Sequence, residues 1–270
     1  MSTSTAIEIR DLIVNYGHRR ILNSISLDIY QGEISVIMGS SGAGKSTLLR
    51  TMLGLKKPTS GIVKVLNTNL CEANSKQLHE LRKQIGVAFQ AGALFSSMTV
   101  AENIQLALRE HTKLDENTIE IMTRIKLDMV NMLSHENLMP SELSGGMTKR
   151  AALARAIIMD PKLLFFDEPS AGLDPITSAE LDELIIKLKQ SMNMTIVVVT
   201  HELESVFKIA DRIIILGEGG VLLAGTPTEI RASEDPRIVG ILNRTPRDMN
   251  VDVDLHLQRL AGDHQSQEKQ

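Results

Sequence analysis

The run Gly39-Ser-Ser-Gly-Ala-Gly-Lys45-Ser46-Thr47 lies between an apolar segment, residues 33–38, and a helical pattern, residues 45–53. Two glycines that flank four free positions and are followed by Lys-Ser form the pattern of a phosphate-binding loop, which connects a strand to a helix. Backbone N–H groups of such a loop turn inward around phosphates, and the helix N-terminus adds positive potential. A glycine-rich turn without a ligand is the alternative, but a buried lysine at a helix start is costly without an anion.

This loop predicts a nucleotide site. We expect Lys45 to bind the β- and γ-phosphates through its charge, and the Ser46 hydroxyl to bind Mg²⁺. The loop residues expected to contact the nucleotide are Gly39, Ser40, Ser41, Gly42, Ala43, Gly44, Lys45, Ser46 and Thr47.

A second candidate is the apolar segment 163–166, which ends in Asp167 and Glu168. Ligands bind at the carboxyl ends of the strands in an open parallel sheet, so this position is suited to chemistry. We expect Asp167 to bind Mg²⁺ through a water and Glu168 to polarise a water for attack on the γ-phosphate. A solvated acidic turn at a strand end is the alternative for the acid pair taken alone, and the phosphate loop argues against it.

Short β-branched segments alternate with helical patterns along the rest of the chain, which predicts a mostly parallel sheet covered on both faces. Alternation within the early strands suggests an antiparallel sheet beside it. Capping boxes are predicted at Thr177 with Glu180 and at Thr226 with Glu229. The expected strands are residues 7–14, 24–30, 33–38, 61–66, 85–89, 163–166, 195–199, 212–216 and 219–224, and the expected helices include residues 45–53, 100–109, 115–132, 145–159 and 202–210.

Composition narrows the class of protein. The chain has 270 residues, 43% of them hydrophobic and 23% charged, which excludes a disordered protein. A net charge of −4, 3% aromatic residues and no tryptophan argue against a general nucleic-acid binder, so we expect no nucleic-acid partner. The single cysteine, Cys71, fits a reducing compartment. A membrane-spanning helix needs ~20 apolar residues, and the longest apolar runs are much shorter, so we expect a chain that is soluble by itself.

The segment Leu143-Ser144-Gly145-Gly146-Met147 precedes an alanine-rich helical pattern. Ser144 is suited to capping that helix, and the two glycines leave its N-terminus open to an anion, although a flexible cap without a ligand is the alternative. Together with the phosphate loop and the acid pair, this segment makes the sequence resemble the ATP-binding subunits of ABC transporters, over residues 7 to about 233. The family's usual segment ends in glutamine, so Met147 is a departure that concerns the closed state rather than nucleotide binding.

The resemblance implies an α/β fold, a P-loop ABC-type ATPase with a mostly parallel core sheet, an antiparallel β subdomain and a helical subdomain at about residues 91–160. It implies an ATPase domain over residues 1–235, with residues 236–270 as a C-terminal extension. In the family two subunits form a homodimer that buries two ATP molecules, and the segment at Ser144, Gly145 and Gly146 of one subunit faces the phosphate loop of the other.

Four further residues gain a role only from the resemblance. Tyr16 matches the aromatic residue of the family that stacks on adenine, and Gln90 matches a glutamine that contacts Mg²⁺ and the attacking water. Asp174 belongs to a segment that matches a loop crossing the dimer, and His201 matches a histidine that contacts the γ-phosphate. A strand-end tyrosine and a polar loop residue are the alternatives for Tyr16 and Gln90. The resemblance thus implies ATP and Mg²⁺ as ligands, with Ser46, Gln90 and Asp167 at the metal and Glu168, His201 and Gln90 in catalysis.

Residues 90–103 and the Met147 variant are similar to ATPases of the Mla family, which move phospholipids between the inner and outer membranes of Gram-negative bacteria. That similarity implies a homodimer on the cytoplasmic face of the inner membrane, beneath an integral membrane permease. A periplasmic MCE-domain lipid-binding protein and a cytoplasmic STAS-domain subunit are the further partners it implies. An importer ATPase for an amino acid or a metal is the alternative, and a non-transport regulatory ABC ATPase is disfavoured by Glu168 and His201.

Two segments suggest contacts with other chains. Residues 91–102 hold Leu94, Phe95, Met98 and Val100 directly after Gln90, which predicts a docking surface for the membrane partner; a core contact is the alternative. Beyond the ATPase domain a short helical stripe, residues 238–242, is followed by alternating apolar residues at 251–257. We expect this extension to be an intersubunit or interprotein arm, and packing on its own domain is the alternative.

Overall fold

Two sheets, one mostly parallel and one antiparallel, organise the chain between Ser4 and Ser233. The structure is a computed structural model and describes residues 4–245. The strands are β1 (Thr5–Tyr16), β2 (Arg19–Tyr30), β3 (Ile34–Gly39), β4 (Ser60–Val65), β5 (Thr68–Asn69), β6 (Ile85–Ala88), β7 (Leu163–Asp167), β8 (Thr195–Val199), β9 (Arg212–Gly217) and β10 (Gly220–Gly225). The helices are α1 (Lys45–Met52), α2 (Ser75–Arg82), α3 (Val100–His111), α4 (Glu116–Met129), α5 (Gly145–Ala156), α6 (Pro175–Met192), α7 (Leu203–Ile209), α8 (Pro227–Arg231) and α9 (Pro236–Leu242).

The larger sheet has the strand order β10-β9-β3-β8-β7-β6, and all of its pairings are parallel except that of β10 with β9. Residues of β3 and β8 are buried throughout, because a parallel sheet is covered on both faces. The smaller sheet has the order β2-β1-β4-β5 and is antiparallel. Helices α3, α4 and α5 pack against one another as a helical subdomain. The predicted fold class is therefore confirmed.

The order of the strands determines where the candidate site lies. β3 ends at Gly39, and β7 and β8, which run parallel to it, end at Asp167 and Val199. Gly39 is required at its position, because its φ is +153° and a Cβ there would lie 2.4 Å from the carbonyl oxygen of Leu216 on β9. The phosphate loop, the acid pair and His201 therefore leave the sheet at one edge.

Helix starts differ from the sequence prediction in one place. The capping box at Thr177 and Glu180 is wrong, because α6 begins at Pro175 and is capped by Asp174, whose carboxylate accepts hydrogen bonds from the N–H groups of Ile176 and Thr177. Proline at the first helical position fixes this earlier start. Glu180 instead accepts a hydrogen bond from Arg150.

Other helix starts agree with the sequence or were not predicted. The predicted capping box at Thr226 and Glu229 is confirmed at the start of α8. Helix α2 was not predicted, because it buries only Leu81 and so carries no apolar stripe. Its capping box at Asn74 and Gln77 was the signal that could have revealed it.

The chain separates into two compact units, Met1–Ser233 and Glu234–Gln270. In the second unit, α9 forms where the spacing of residues 238–242 predicts a helix. The apolar alternation at residues 251–257 lies outside the described residues. The assignment of an ATPase domain followed by an arm stays a prediction. In the part of the chain that the structure describes, the helices are all too short or too polar to cross a membrane.

Gly86 gives a test of how tightly β6 packs against α5. A Cβ at Gly86 would lie 2.2 Å from the carbonyl oxygen of Ala156 and 2.9 Å from Leu164 Cδ1. We expect Gly86→Ala to lower the free energy of unfolding by about 1–3 kcal/mol, because neither backbone can yield freely. Urea denaturation measures the change.

Gly220 on β10 is the matched control, because a Cβ there would meet only the carbonyl oxygen of Gly217 at 3.8 Å. Gly220→Ala is expected to change stability by less than about 1 kcal/mol. Equal unfolding midpoints for the two variants would contradict the close packing of β6 on α5.

Candidate functional site

The phosphate loop connects β3 to α1 and supplies backbone N–H groups. Gly44 caps α1 in a left-handed conformation without a side-chain hydrogen bond, and the first turn of the helix carries no acidic residue. A Cβ at Gly44 would lie 2.4 Å from Leu22 Cδ2, so the loop lies closely against β2. The start of α1 therefore offers its positive end to an anion.

The Lys45 ammonium group folds back over this loop. Its Nζ donates hydrogen bonds to the carbonyl oxygens of Gly39 at 2.8 Å and Ser40 at 3.3 Å. Burial lowers the pKa of Lys45, while the charges of Glu168 and Asp167 act to raise it. The structure thus brings the lysine of the loop close enough to the acid pair for their charges to interact.

The acid pair, Asp167 and Glu168, lies at the carboxyl end of β7, and the two residues have different environments. Burial and then the charge of Glu168 raise the pKa of Asp167, and Arg50, Lys149 and Lys45 oppose this rise. Glu168 has a positive φ of 50°, and its N–H donates to the carbonyl oxygen of Val199 at 2.8 Å. The two consecutive acidic residues therefore differ in backbone conformation and in electrostatic surroundings.

Glu168 and His201 form a side-chain pair. The carboxylate oxygens lie 2.9 and 3.0 Å from His201 Nδ1. The Glu168 side chain is 14% exposed and that of His201 is 65% exposed, so the acid is sheltered while the imidazole reaches solvent. The sequence placed both residues at the site, and the structure adds their direct contact.

The segment Ser144–Gly146 lies in a second cluster, with Asp174. Ser144 caps α5 by accepting a hydrogen bond from the N–H of Met147 at 3.2 Å. A Cβ at Gly146 would lie 2.7 Å from Thr177 Cγ2, which places the start of α5 beside the Asp174-capped start of α6. The residues around Ser144 are thus grouped with Asp174 at the start of α6.

Two lysines near the site were not predicted. Lys149 Nζ donates to the main-chain carbonyl oxygen of Gln90 at 2.6 Å and to that of Glu168 at 3.1 Å. Lys56 Nζ lies 4.2 Å from the ring centroid of Tyr16, a cation–π contact at the end of β1. Lys149 follows the Ser144 segment closely, which was the only signal in the sequence that could have drawn attention to it.

The geometry combines a phosphate-binding loop, an acid pair, a histidine and a second open helix start. The model of the ABC transporter family matches residues 22–171, more than half of the chain. The chain belongs to the ABC transporter ATPase family. As an ABC ATPase it binds and hydrolyses ATP.

Similar proteins extend over most of the chain. The intermembrane phospholipid transport system ATP-binding protein of Haemophilus influenzae is 41% identical over 236 residues, which cover 87% of this chain and 89% of that protein. A probable ribonucleotide transport ATP-binding protein of Mycobacterium leprae is 38% identical over 243 residues, 90% of this chain and 70% of that protein. A dimeric ATP-binding cassette solved in a post-hydrolysis state with ADP and Pi matches with a TM-score of 0.75 at 30% identity, over 82% of this chain and 98% of that one.

Replacement of Lys45 tests the nucleotide site. We expect Lys45→Ala to weaken ATP binding roughly 10²- to 10⁴-fold, because loss of one partner of a buried charged contact costs about 3–5 kcal/mol. Isothermal titration calorimetry measures the affinity. Lys76→Ala, on the exposed face of α2, serves as the control and should bind ATP as the original chain does. An unchanged affinity of Lys45→Ala would exclude this lysine from the phosphate site.

Proposed function

We propose that this ABC ATPase hydrolyses ATP between two copies of the chain and powers phospholipid transport between the inner and outer membranes of a Gram-negative envelope. The observation that carries the hydrolytic part is the contact of Glu168 with His201 beside the phosphate loop. The cargo rests on the similarity to the phospholipid transport ATPases of Haemophilus influenzae and Escherichia coli, of which the chain covers 89% and 88%. The mycobacterial relative is covered over 70%, so the phospholipid relatives agree better in length.

The residues proposed for Mg²⁺ fit that ion. Ser46, Gln90 and Asp167 supply hydroxyl, amide and carboxylate oxygens, the donors that Mg²⁺ prefers. The raised pKa of Asp167 reports a carboxylate that burial makes costly to ionise, and a nearby cation would relieve that cost. When bound, the ion would neutralise charge on the β- and γ-phosphates.

Residues of the chain itself have separate roles in hydrolysis and in nucleotide binding. Glu168 accepts the proton of the attacking water, and His201 holds the carboxylate through Nδ1 while its exposed ring reaches the γ-phosphate. Lys45 and residues 39–47 hold the phosphates, and Tyr16 stacks on adenine. Because Ser144–Gly146 lie with Asp174 in the second cluster, we propose that they act on the nucleotide of the other subunit.

The proposed partners follow from the same family. We propose a homodimer attached to an integral membrane permease at the cytoplasmic face of the inner membrane, with an MCE-domain lipid-binding protein and a STAS-domain subunit in the complex. Residues 236–270 are proposed to act as the arm that contacts a neighbouring chain, and α9 is its described part.

The segment after Gln90 is proposed as the permease contact, with one correction. Val100 is buried at the start of α3 and cannot contribute to the surface, whereas the Phe95 side chain is 50% exposed. Asn103 holds the segment by accepting a hydrogen bond from the Phe95 N–H at 2.7 Å and donating to its carbonyl oxygen at 3.1 Å. Phe95 also lines a cavity of about 320 Å³ with residues of α3 and with Arg155. A rigid loop with an exposed aromatic side chain at a cavity suits a docking contact.

Glu168→Gln tests the hydrolytic role. We expect the variant to bind ATP and to hydrolyse it about 10²–10⁴-fold more slowly, because the amide cannot accept the proton of the water. Steady-state phosphate release measures the rate. Glu204→Gln, exposed on α7, should retain full activity. Near-normal hydrolysis by Glu168→Gln would disprove its assignment as the base.

Phe95→Glu tests the permease contact. A charge at the centre of an apolar contact should abolish copurification with the permease, while ATP affinity and thermal stability of the free subunit remain unchanged. Ile62→Glu is the control, because Ile62 is 42% exposed on β4, away from the segment. Normal assembly of the Phe95→Glu protein would refute the placement.

The cargo is tested on the assembled complex. We expect complexes purified from membranes to retain phospholipid, and reconstituted complexes to move labelled phospholipid between vesicles only with ATP. The Glu168→Gln complex is the matched control and should retain lipid without moving it. A complex that moves an amino acid or a metal ion and leaves phospholipid in place would overturn the proposed cargo.

A further inference from the structure

We propose that Lys149 is a positioning residue that holds the main chain at Gln90 and Glu168 together and so fixes both side chains for hydrolysis. Its Nζ donates to the carbonyl oxygen of Gln90 at 2.6 Å and to that of Glu168 at 3.1 Å. The inference rests on the proposed roles of Gln90 and Glu168. It assigns a role to Lys149, which has none in the proposed function.

The two carbonyl groups lie where the sheet stops pairing. β6 and β7 pair in parallel register up to Ala88 opposite Phe166. Gln90 and Glu168 are each two residues further on, so a continued sheet would place them opposite each other. Beyond the last hydrogen bond between the two strands, the Lys149 ammonium group links the segment at Gln90 to the segment at Glu168.

Glu168 needs such a link because its backbone is strained. A φ of +50° is unfavourable for a residue with a side chain and persists only when surrounding contacts hold it. The N–H of Glu168 is held by the carbonyl oxygen of Val199 at 2.8 Å, and the carbonyl oxygen by Lys149. With the main chain held on both sides, the carboxylate is directed at His201 Nδ1.

The same helix holds the Gln90 connection at a second point. Arg155 of α5 donates to the carbonyl oxygens of Gly92 at 2.9 Å and Ala93 at 2.8 Å. Lys149 and Arg155 are both partly buried, and this burial lowers the pKa of each group. Charged donors in such surroundings make stronger hydrogen bonds to carbonyl groups. Helix α5, which begins beside Ser144, is therefore hydrogen-bonded both to the main chain of residues 90–93 and to that of Glu168.

Lys149→Met is the main test, because methionine keeps an unbranched apolar side chain while it removes the ammonium group. We expect kcat for ATP to fall roughly ten- to hundredfold, since small misplacements of catalytic groups have effects of this size. The KM for ATP should change less than about threefold, because the phosphate loop is untouched. Lys149→Arg, which keeps a charged donor, should restore most of kcat. Lys187→Met, exposed on α6, is the control and should match the original chain.

A fluorescence measurement decides the same point without hydrolysis. The chain has no tryptophan, and Phe89 lines a small cavity together with Lys149, so Phe89→Trp places a single indole beside the link. In that background we expect Lys149→Met to shift the emission to longer wavelength and to increase quenching by acrylamide, while Lys149→Arg and Lys187→Met leave both unchanged. If Lys149→Met fails to fold, Lys149→Gln replaces it with the same expectations.

The outcomes separate this inference from the proposed function. An unchanged kcat together with an unchanged indole spectrum in Lys149→Met would overturn the positioning role, even if Glu168→Gln is inactive. A parallel rise in KM and fall in stability, with no rescue by Lys149→Arg, would also overturn it, because that pattern describes a general packing role. If Glu168→Gln hydrolyses ATP normally, the assignment of Glu168 as the base is wrong. The indole spectrum still decides whether Lys149 holds the main-chain segments at Gln90 and Glu168 together.

Discussion

Parallel pairing of β3, β8 and β7 is the constraint on which the other features depend. These strands are buried on both faces, and a shift of register by one residue would exchange the side chains that face the two helical layers. The register therefore fixes the ends of all three strands together. Because parallel strands end at the same edge, Gly39, Asp167 and His201 need no long-range signal of their own to meet there.

At that edge of the sheet, burial and neighbouring charges have opposing effects on the pKa values of Lys45 and Asp167. Burial raises the pKa of Asp167 and lowers the pKa of Lys45, so each group taken alone is less stable in its charged form than it would be in water. The charges of Lys45 and Asp167 each oppose the pKa shift of the other group, and Lys149 also opposes the shift of Asp167. The charge of Glu168 opposes the shift of Lys45 but adds to that of Asp167. A cluster of this kind holds its charges at a cost in folding free energy, and an anionic ligand with a bound cation can relieve that cost.

Features that depend on residues close together in the sequence could be predicted, whereas contacts between distant segments could not. The phosphate loop, β7 and its acid pair have local patterns, and their strands formed where the apolar segments predict them. Helix α6 began at Pro175 and not at Thr177, because two capping residues compete within one turn and proline favours the earlier one. The Glu168–His201 contact requires the relative position of β7 and β8, which residue spacing does not contain. Lys149 was missed for a further reason: its two acceptors are main-chain carbonyls, and these have no sequence signature.

The grouping of the candidate residues supports the proposed mechanism, in which two subunits act on each nucleotide. Ser144 and Asp174 cap two helices whose N-termini lie side by side, through contacts of Gly146 with Thr177 and of Gly145 with Leu173. Lys45, Glu168 and His201 belong to the other cluster, at the strand ends. Helix α5 connects the two, since it begins at the first cluster and sends Lys149 to the second. In the proposed dimer, the helix starts of one subunit would lie over the phosphate loop of its partner, and α5 would connect that nucleotide to Gln90 and Glu168 of its own site through Lys149.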